Sequence, residues 1–336
     1  MAKGFGVTDA KTLKRHLQEA GLSRQAIDAA WPSWWSEAAE TSPSARAELR
    51  FSIARRLGLS ARSLAGERVE FVWRDKARFK HLDAGTGDTE RAALNSFGMA
   101  IGHSLLRATA AGEGLAGVPA AVLREALLAD GEPDLRGLLS ACWGTGIPVA
   151  HLLVSPLPKK AMHAMVIGHE GRHAVLLSRS ASYPALVAFT LAHEIGHIAL
   201  GHILGDNMLV DAEEPAGHAA DDAEEQAANA YALEVLIGDA DPDIRINFDT
   251  FNSAELAEAV LRVGPASGIE PGTLALAVAY RRNAWPVAMA AMKFIYDGPA
   301  SVAQSVNNVA AGQLDWASLG DEGADFLHRV LGLHNG

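Results

Sequence analysis

The run VAFTLAHEIGHIALGH, residues 187–202, sets the tightest condition on how this chain can fold. It holds His193-Glu194-Ile195-Gly196-His197, an H-E-x-x-H pattern whose chemistry works only on a helix. Residues four apart on a helix stand one above the other, so His193 and His197 can offer two imidazoles to one metal ion. Glu194 lies about 100° round the same helix and can lean over the open side of the metal as a proton acceptor. The pattern arises by chance in roughly a few chains per hundred of this length, so its surroundings must carry the case. Gly196 keeps the face between the histidines small, which suits close packing against a neighbour.

With 336 residues and a 49% hydrophobic fraction, the chain has material for two or three compact units. A net charge of -11 disfavours a nucleic-acid footprint spread over the whole chain and says nothing about a local basic patch. The single cysteine, Cys142, rules out an internal disulfide framework, fits a reducing compartment and reads as a small buried apolar residue. The opening residues, MAKGFGVTDAKTLKRH, lack the apolar run of a secretory signal, and the longest apolar stretch, residues 274–295, is broken by Arg281 and Arg282. The expectation is a cytoplasmic protein without a membrane partner.

Residues 1–66 form the first expected unit, a set of short helices. Leu13 and Leu17, then Ile27 and Trp31 after the N-cap Ser23, then Leu49, Ile53, Leu57 and Leu64, all keep helical spacing. GLSRQAI followed by SIARRLGLSARSL resembles the first and last helices of phage-repressor-type helix-turn-helix domains. Where the recognition helix should stand, the chain instead has WPSWWSEAAE, residues 31–40, with three tryptophans, two glutamates and no cation. Reading base edges takes Arg, Lys, Asn or Gln. DNA binding by residues 1–66 is therefore the weaker alternative. A degenerate helix-turn-helix that serves folding or partner docking is preferred, with the tryptophans in a core or on a protein-binding surface.

Residues 67–145 read as a helical connecting region with one short strand at 69–73, VEFVW, and helices at 92–109 and 119–129. His81 and His103 stand alone there and read as surface or packed histidines. From residue 146 the pattern turns extended. IPVAHLLVS, AMHAMVIG and HAVLLSR are rich in branched aliphatics, and His169-Glu170-Gly171-Arg172 suits a hairpin turn. Ser182 is the expected N-cap of the H-E-x-x-H helix, with Pro184 in its first turn. A zinc site needs a third protein ligand. The helix after residue 221 presents Ala228, Tyr231, Ala232, Val235 and Leu236 on one face, and periodicity leaves Asp221, Glu224 and Glu225 all within reach of it. His202, five residues past His197, is expected to point away from the ligand face.

FTLAHEIGH followed by EEQAANAYALEVL resembles the ImmA/IrrE family of metallopeptidases, in which F-T-L-A-H-E-x-G-H precedes E-x-x-A-N-x-F/Y-A on the next helix. The likeness covers roughly residues 145–240. Carried over position by position, it implies that His193, His197 and Glu225 are metal ligands and Glu194 the general base. Asn229, one turn beyond Glu225, then orients a ligand histidine. The implied cofactor is zinc, with manganese as its competitor. The implied reaction is peptide-bond hydrolysis, in which Glu194 takes a proton from water and passes it to the leaving nitrogen. Family members cut helix-turn-helix repressors often encoded beside them, relieving repression in stress or DNA damage. A repressor or antitoxin-like protein is thus the expected partner. A DNA-binding regulator or antitoxin that uses the peptidase fold as a scaffold is the alternative, and a zinc-stabilised interaction module is a third reading.

Peptidases of this type hold substrate along a sheet edge, for which the strands at 162–168 and 173–179 are the candidates. His218, Tyr183 and Tyr231 are candidates for a second oxyanion donor. The remaining region, 241–336, is expected to be helical. Its SGIEPGTLALAVAYRR run resembles the tail that follows the peptidase in fused family members, and the part from Ala300 is expected to be loosely held. The whole is an α+β fold, mostly helical, with a small twisted sheet packed on the active-site helix of a core at 146–240.

Overall fold

The structure is a computed structural model and describes residues 9–73, 77–80, 87–158, 162–203, 205–211, 222–244, 251–299 and 301–333. The fold is α+β and mostly helical, as expected. Its first helices are α1 (Ala10–Glu19), α2 (Arg24–Ala30), the single turn α3 (Glu37–Glu40), α4 (Pro43–Leu57) and α5 (Ala61–Ala65). Asp9, Ser23, Ser36, Ser42 and Ser60 each stand before one of them and accept a backbone N–H in its first turn. Strand β1 (Ala77–Lys80) leads to α6 (Asp88–Arg107), α7 (Ala120–Ala129) and α8 (Leu135–Gly144).

The middle of the chain contributes β2 (Val149–His151), β3 (Ala164–His169), β4 (Arg172–Leu177), α9 (Pro184–Ala199), β5 (Met208–Asp211) and α10 (Ala223–Ile237). After it come α11 (Ser253–Ala266), α12 (Pro271–Arg282), α13 (Trp285–Ile295), α14 (Val302–Gln313) and α15 (Gly320–Leu331). Among the described residues no helix is long and apolar enough to cross a membrane.

The strands form one mixed sheet in the order β1-β5-β3-β4-β2. β3 and β4 are the antiparallel hairpin expected around residues 169–172, with His169 opposite Arg172. β3 also pairs antiparallel with β5, while β1–β5 and β2–β4 are parallel. Two expectations are corrected here. The run at 69–73 is no strand: only Phe71 forms a bridge, to Leu59, and the sheet strand lies after it at residues 77–80. Trp73 instead packs edge-on against His103, 5.2 Å between ring centres, so the apolar residues of that run serve the helices. In addition, β3 and β4 are interior strands, and the sheet edges are β1 and β2.

The β2 edge is covered. Asn307 of α14, fully buried, accepts from the backbone N–H of His151 at 2.7 Å and donates to the His151 carbonyl at 2.8 Å and the Leu331 carbonyl at 2.7 Å. A side-chain amide thus completes the ladder as a further strand would, which removes an exposed edge. No strand among those described pairs with the outer side of β1.

One continuous buried cluster runs from Leu13 and Leu17 of α1 through the sheet and α9 to Phe326, Leu327, Val330 and Leu331 of α15. The segment from residue 301 on is therefore part of the core, which corrects the expectation of a loosely held end. Its tie to the first helices is specific. Glu322 accepts from the Trp34 indole at 2.6 Å, Ser52 at 3.0 Å and Arg55 at 3.1 Å, and it pairs with buried Arg56 at 3.4 Å. Trp31, Trp34 and Trp35 pack edge-to-face on one another against the core. A second cluster joins α11, α12 and α13 through Leu256, Val260, Val278 and Met292, with Tyr183 attached. Cys142 is buried as expected, and burial pushes its thiol up to about 12.

Candidate metal centre

α9 carries the H-E-x-x-H residues, and nearly all of its later half is buried. Its N-cap is Tyr183, one residue later than expected. Tyr183 makes no side-chain cap bond, because its ring is stacked on Tyr296, 5.5 Å between centres and 18° from parallel. Pro184 occupies the first turn as foreseen. α10 lies beside α9, and Gly196 is what allows the approach. A Cβ at Gly196 would stand 3.1 Å from the Ala228 carbonyl oxygen and 3.2 Å from the Ala228 Cα.

The phase of α10 is set at its start. Asp222 is the N-cap and accepts from the N–H groups of Glu224 at 3.0 Å and Glu225 at 3.4 Å. This turns Glu224 outward to an ion pair with Arg78 of β1 and Glu225 inward to the histidines. Of the three acids left open by periodicity, Glu225 is therefore the one that meets them; Asp221, like His218, lies outside the described residues.

His193, His197 and Glu225 are all buried, and one donor atom from each lies within 4.8 Å of the others. The Nε2 atoms of His193 and His197 are 3.0 Å apart. Glu225 Oε2 lies 3.3 Å from His193 Nε2, and Oε1 lies 3.4 Å from His197 Nε2. A tetrahedral zinc ion with ligand bonds near 2.0–2.1 Å spaces its donors about 3.3 Å apart, and the donors here stand at comparable separations, with Glu225 turning one oxygen to each histidine. The outer nitrogens agree. Asn229 Oδ1 lies 3.0 Å from His193 Nδ1 and can only accept, so the proton sits on Nδ1 and the neutral ring keeps a lone pair at Nε2. His193 Nε2 and His197 Nε2, 3.0 Å apart, face the same point. The group can hold a metal ion.

The electrostatics favour the same protonation states. Burial opposes the charge of Glu225, yet its contacts with the His193 and His197 rings outweigh that and hold its carboxyl well below the usual range, which keeps it the anion a metal needs. Burial lowers the pKa of His197, only partly offset by Glu225, and so favours the neutral imidazole that binds metals. Glu194 is fully buried on the same turn, between the two histidines in sequence and outside the ligand trio.

His202 stands outside the ligand trio, as expected, but it is not turned away from the site. It lies against the site: its Nδ1 is 2.8 Å from Nδ1 of His197. α9 stops at Leu200, and Gly201 takes the left-handed conformation at φ 73°. Gly201 N–H then donates to the Ile198 carbonyl at 3.1 Å and His202 N–H to the His197 carbonyl at 2.9 Å, the paired bonds of a Schellman ending. That ending folds the chain back over the last turn and returns His202 to His197. The Leu-Gly-His triplet after the helix was the available signal. Arg78 braces the corner by donating to the His202 carbonyl at 3.1 Å as well as to Glu224, which brings the β1 edge beside the centre.

The two described tyrosines considered as oxyanion donors have structural partners. Tyr231 donates to the Val118 carbonyl at 3.0 Å, with burial pushing its hydroxyl up to about 12, and Tyr183 is held in its stack with Tyr296. His103 is packed between Trp73 and His169, away from the trio. No protein-family model, curated protein or solved structure matches this chain.

Proposed function

We propose that the protein is a zinc-dependent endopeptidase that cuts a protein partner, a helix-turn-helix repressor or antitoxin-like protein, and so relieves repression under stress or DNA damage. The observation that carries this reading is the convergence of His193, His197 and Glu225 on one point, with Asn229 behind His193. Support for the substrate class comes from the resemblance to ImmA/IrrE metallopeptidases alone. When bound, zinc supplies Lewis-acid polarisation of the scissile carbonyl and of water, and manganese competes for the same donors. Glu194 serves as base and then as acid, taking the proton from the attacking water and passing it to the leaving nitrogen. His193, His197 and Glu225 hold the metal, Asn229 and His202 keep the two rings aimed, and the outer edge of β1 is where an extended substrate segment lies.

The alternative, a DNA-binding regulator, draws no support from the first helices. α3 is one turn long, its sequence is EAAE, and it offers nothing to read a base edge. The test is incubation of the zinc- or manganese-loaded protein with the repressor encoded next to it. Cleavage by the wild type is expected, together with loss of cleavage but retention of metal in Glu194→Gln. If the wild type behaves like Glu194→Gln under every condition, the peptidase reading fails; a salt-dependent shift of its own promoter would then favour the regulator.

A further inference from the structure

A cavity of about 440 Å³ opens beside the metal centre, between α9, α10, α12 and α13. Its walls are mostly apolar, with Phe189, Leu233, Leu276 and Ala277 among them, and the exposed aromatics Tyr280 and Trp285 stand at its mouth. Arg281 and Asp241 on the same wall are paired with each other, and Arg179 lines it too. The cavity adjoins the site through Asn229, which contacts His193 and also lines the cavity.

Its position along the helices is definite. α9 and α10 run antiparallel, matching His197 with Glu225 and His193 with Asn229. The next rung is Phe189 with Leu233, one turn from the ligand histidine, a rise of about 6 Å. Two residues of extended chain span about 6.6 Å. β1 lies at the opposite end of this ladder, next to His202 and Glu224.

We infer that this cavity is a specificity pocket: the protein selects substrates with a large apolar side chain, such as Leu, Met or Phe, within two positions of the bond it cuts. The inference rests on the peptidase reading and adds the sequence class cut. The cavity is wide enough for an aromatic ring, and most of its lining is apolar, with Arg179, Asp241 and Arg281 the charged residues among it. An exposed Tyr280 and Trp285 at the mouth suit a protein rather than a free amino acid as the occupant.

The test needs no turnover. Calorimetry on the full-length zinc-loaded protein would use peptidyl hydroxamates identical except at the first or second side chain from the metal-binding group. That side chain is varied as hydrogen, methyl, isobutyl, benzyl or carboxymethyl. At one of the two positions the isobutyl and benzyl compounds should bind about 10- to 100-fold tighter than the hydrogen compound, the gain expected for burying such a group. The carboxymethyl compound should gain less than either, because most of the lining is apolar. Ala277→Phe, which fills the cavity, should erase the preference and leave the hydrogen compound unaffected. Leu233→Asn, which makes the wall polar, is the second variant if Ala277→Phe does not fold. Equal binding of all compounds by the wild type, or a preference that survives in the folded variant, overturns the pocket alone. If no hydroxamate binds the zinc-loaded protein, the peptidase reading fails and the pocket falls with it.

Discussion

At the scale of single residues, the centre depends on two side chains that touch no metal. Asn229 fixes the His193 ring through Nδ1, and His202 does the same for His197. Outer partners of this kind are worth about 10–100-fold in metal affinity. Asn229→Ala and His202→Ala are each expected to weaken zinc binding by that order in a chelator competition while leaving far-UV circular dichroism unchanged. Loss of either with no change in affinity would make the contacts incidental. The four-residue spacing of His193 and His197 was legible in the sequence because it needs only a helix. Glu225 was not singled out by periodicity, since the choice among three acids turns on where α10 begins, and that is fixed by the cap bonds of Asp222. His202 was misread because helical phase was extended past Leu200, beyond the point where the left-handed Gly201 ends the helix.

At the scale of elements, the two ligand helices are held at a distance set by Gly196. In Gly196→Ala the new methyl would meet the Ala228 backbone at 3.1 and 3.2 Å and Tyr231 Cβ at 3.3 Å, so α10 must move by a few tenths of an ångström. The better helix propensity of alanine returns about 1 kcal/mol, which offsets strain of similar size. The expected result is a melting temperature close to wild type with a clear loss of zinc affinity, because the strand of backbone displaced carries both Glu225 and Asn229. A variant that keeps full affinity would show that the helices can absorb the methyl elsewhere. Here too the sequence was informative in part. The β3–β4 hairpin announced itself through two aliphatic runs around a turn. β1 and β5 did not. β1 reads ARFK, a short and charged sequence of the kind that edge strands carry, and β5 is four residues between loops. Without those two strands β3 becomes a sheet edge.

At the scale of the whole molecule, the last helix closes the fold onto the first ones, and Glu322 is the fastening. Burial works against its charge, but hydrogen bonds from Trp34 and Ser52 and the charges of Arg56 and Arg55 outweigh that and lower its pKa from the ordinary 4.5. A carboxyl lowered by folding adds stability that is complete above the unfolded value and is lost as pH falls through the folded one. The stability difference between wild type and Glu322→Gln, from urea denaturation, should be flat above about pH 5 and should shrink as pH drops below 4.5. Its plateau is expected at about 1–2 kcal/mol, discounted from a fully buried pair because a third of the Glu322 side chain is exposed, 33%. A gap independent of pH would assign the effect to packing. This closure escaped the sequence reading because polar residues from 301 onward suggested a loose end, whereas their apolar partners lie hundreds of residues away. The same continuity decides what the metal does for stability. Ile195, Ile198, Ala232 and Val235, beside the candidate ligands on α9 and α10, are buried in the main cluster through apolar contacts. Chelation should therefore leave the far-UV spectrum intact, unlike a zinc finger, which unfolds without its metal. At free zinc 100-fold above its dissociation constant, binding adds about 2.7 kcal/mol, which for 336 residues is a shift of about 4 °C in melting temperature. Collapse of the spectrum on chelation, or in His193→Ala, would mean that the ion builds the domain, and the reading as a zinc-stabilised interaction module would replace the peptidase.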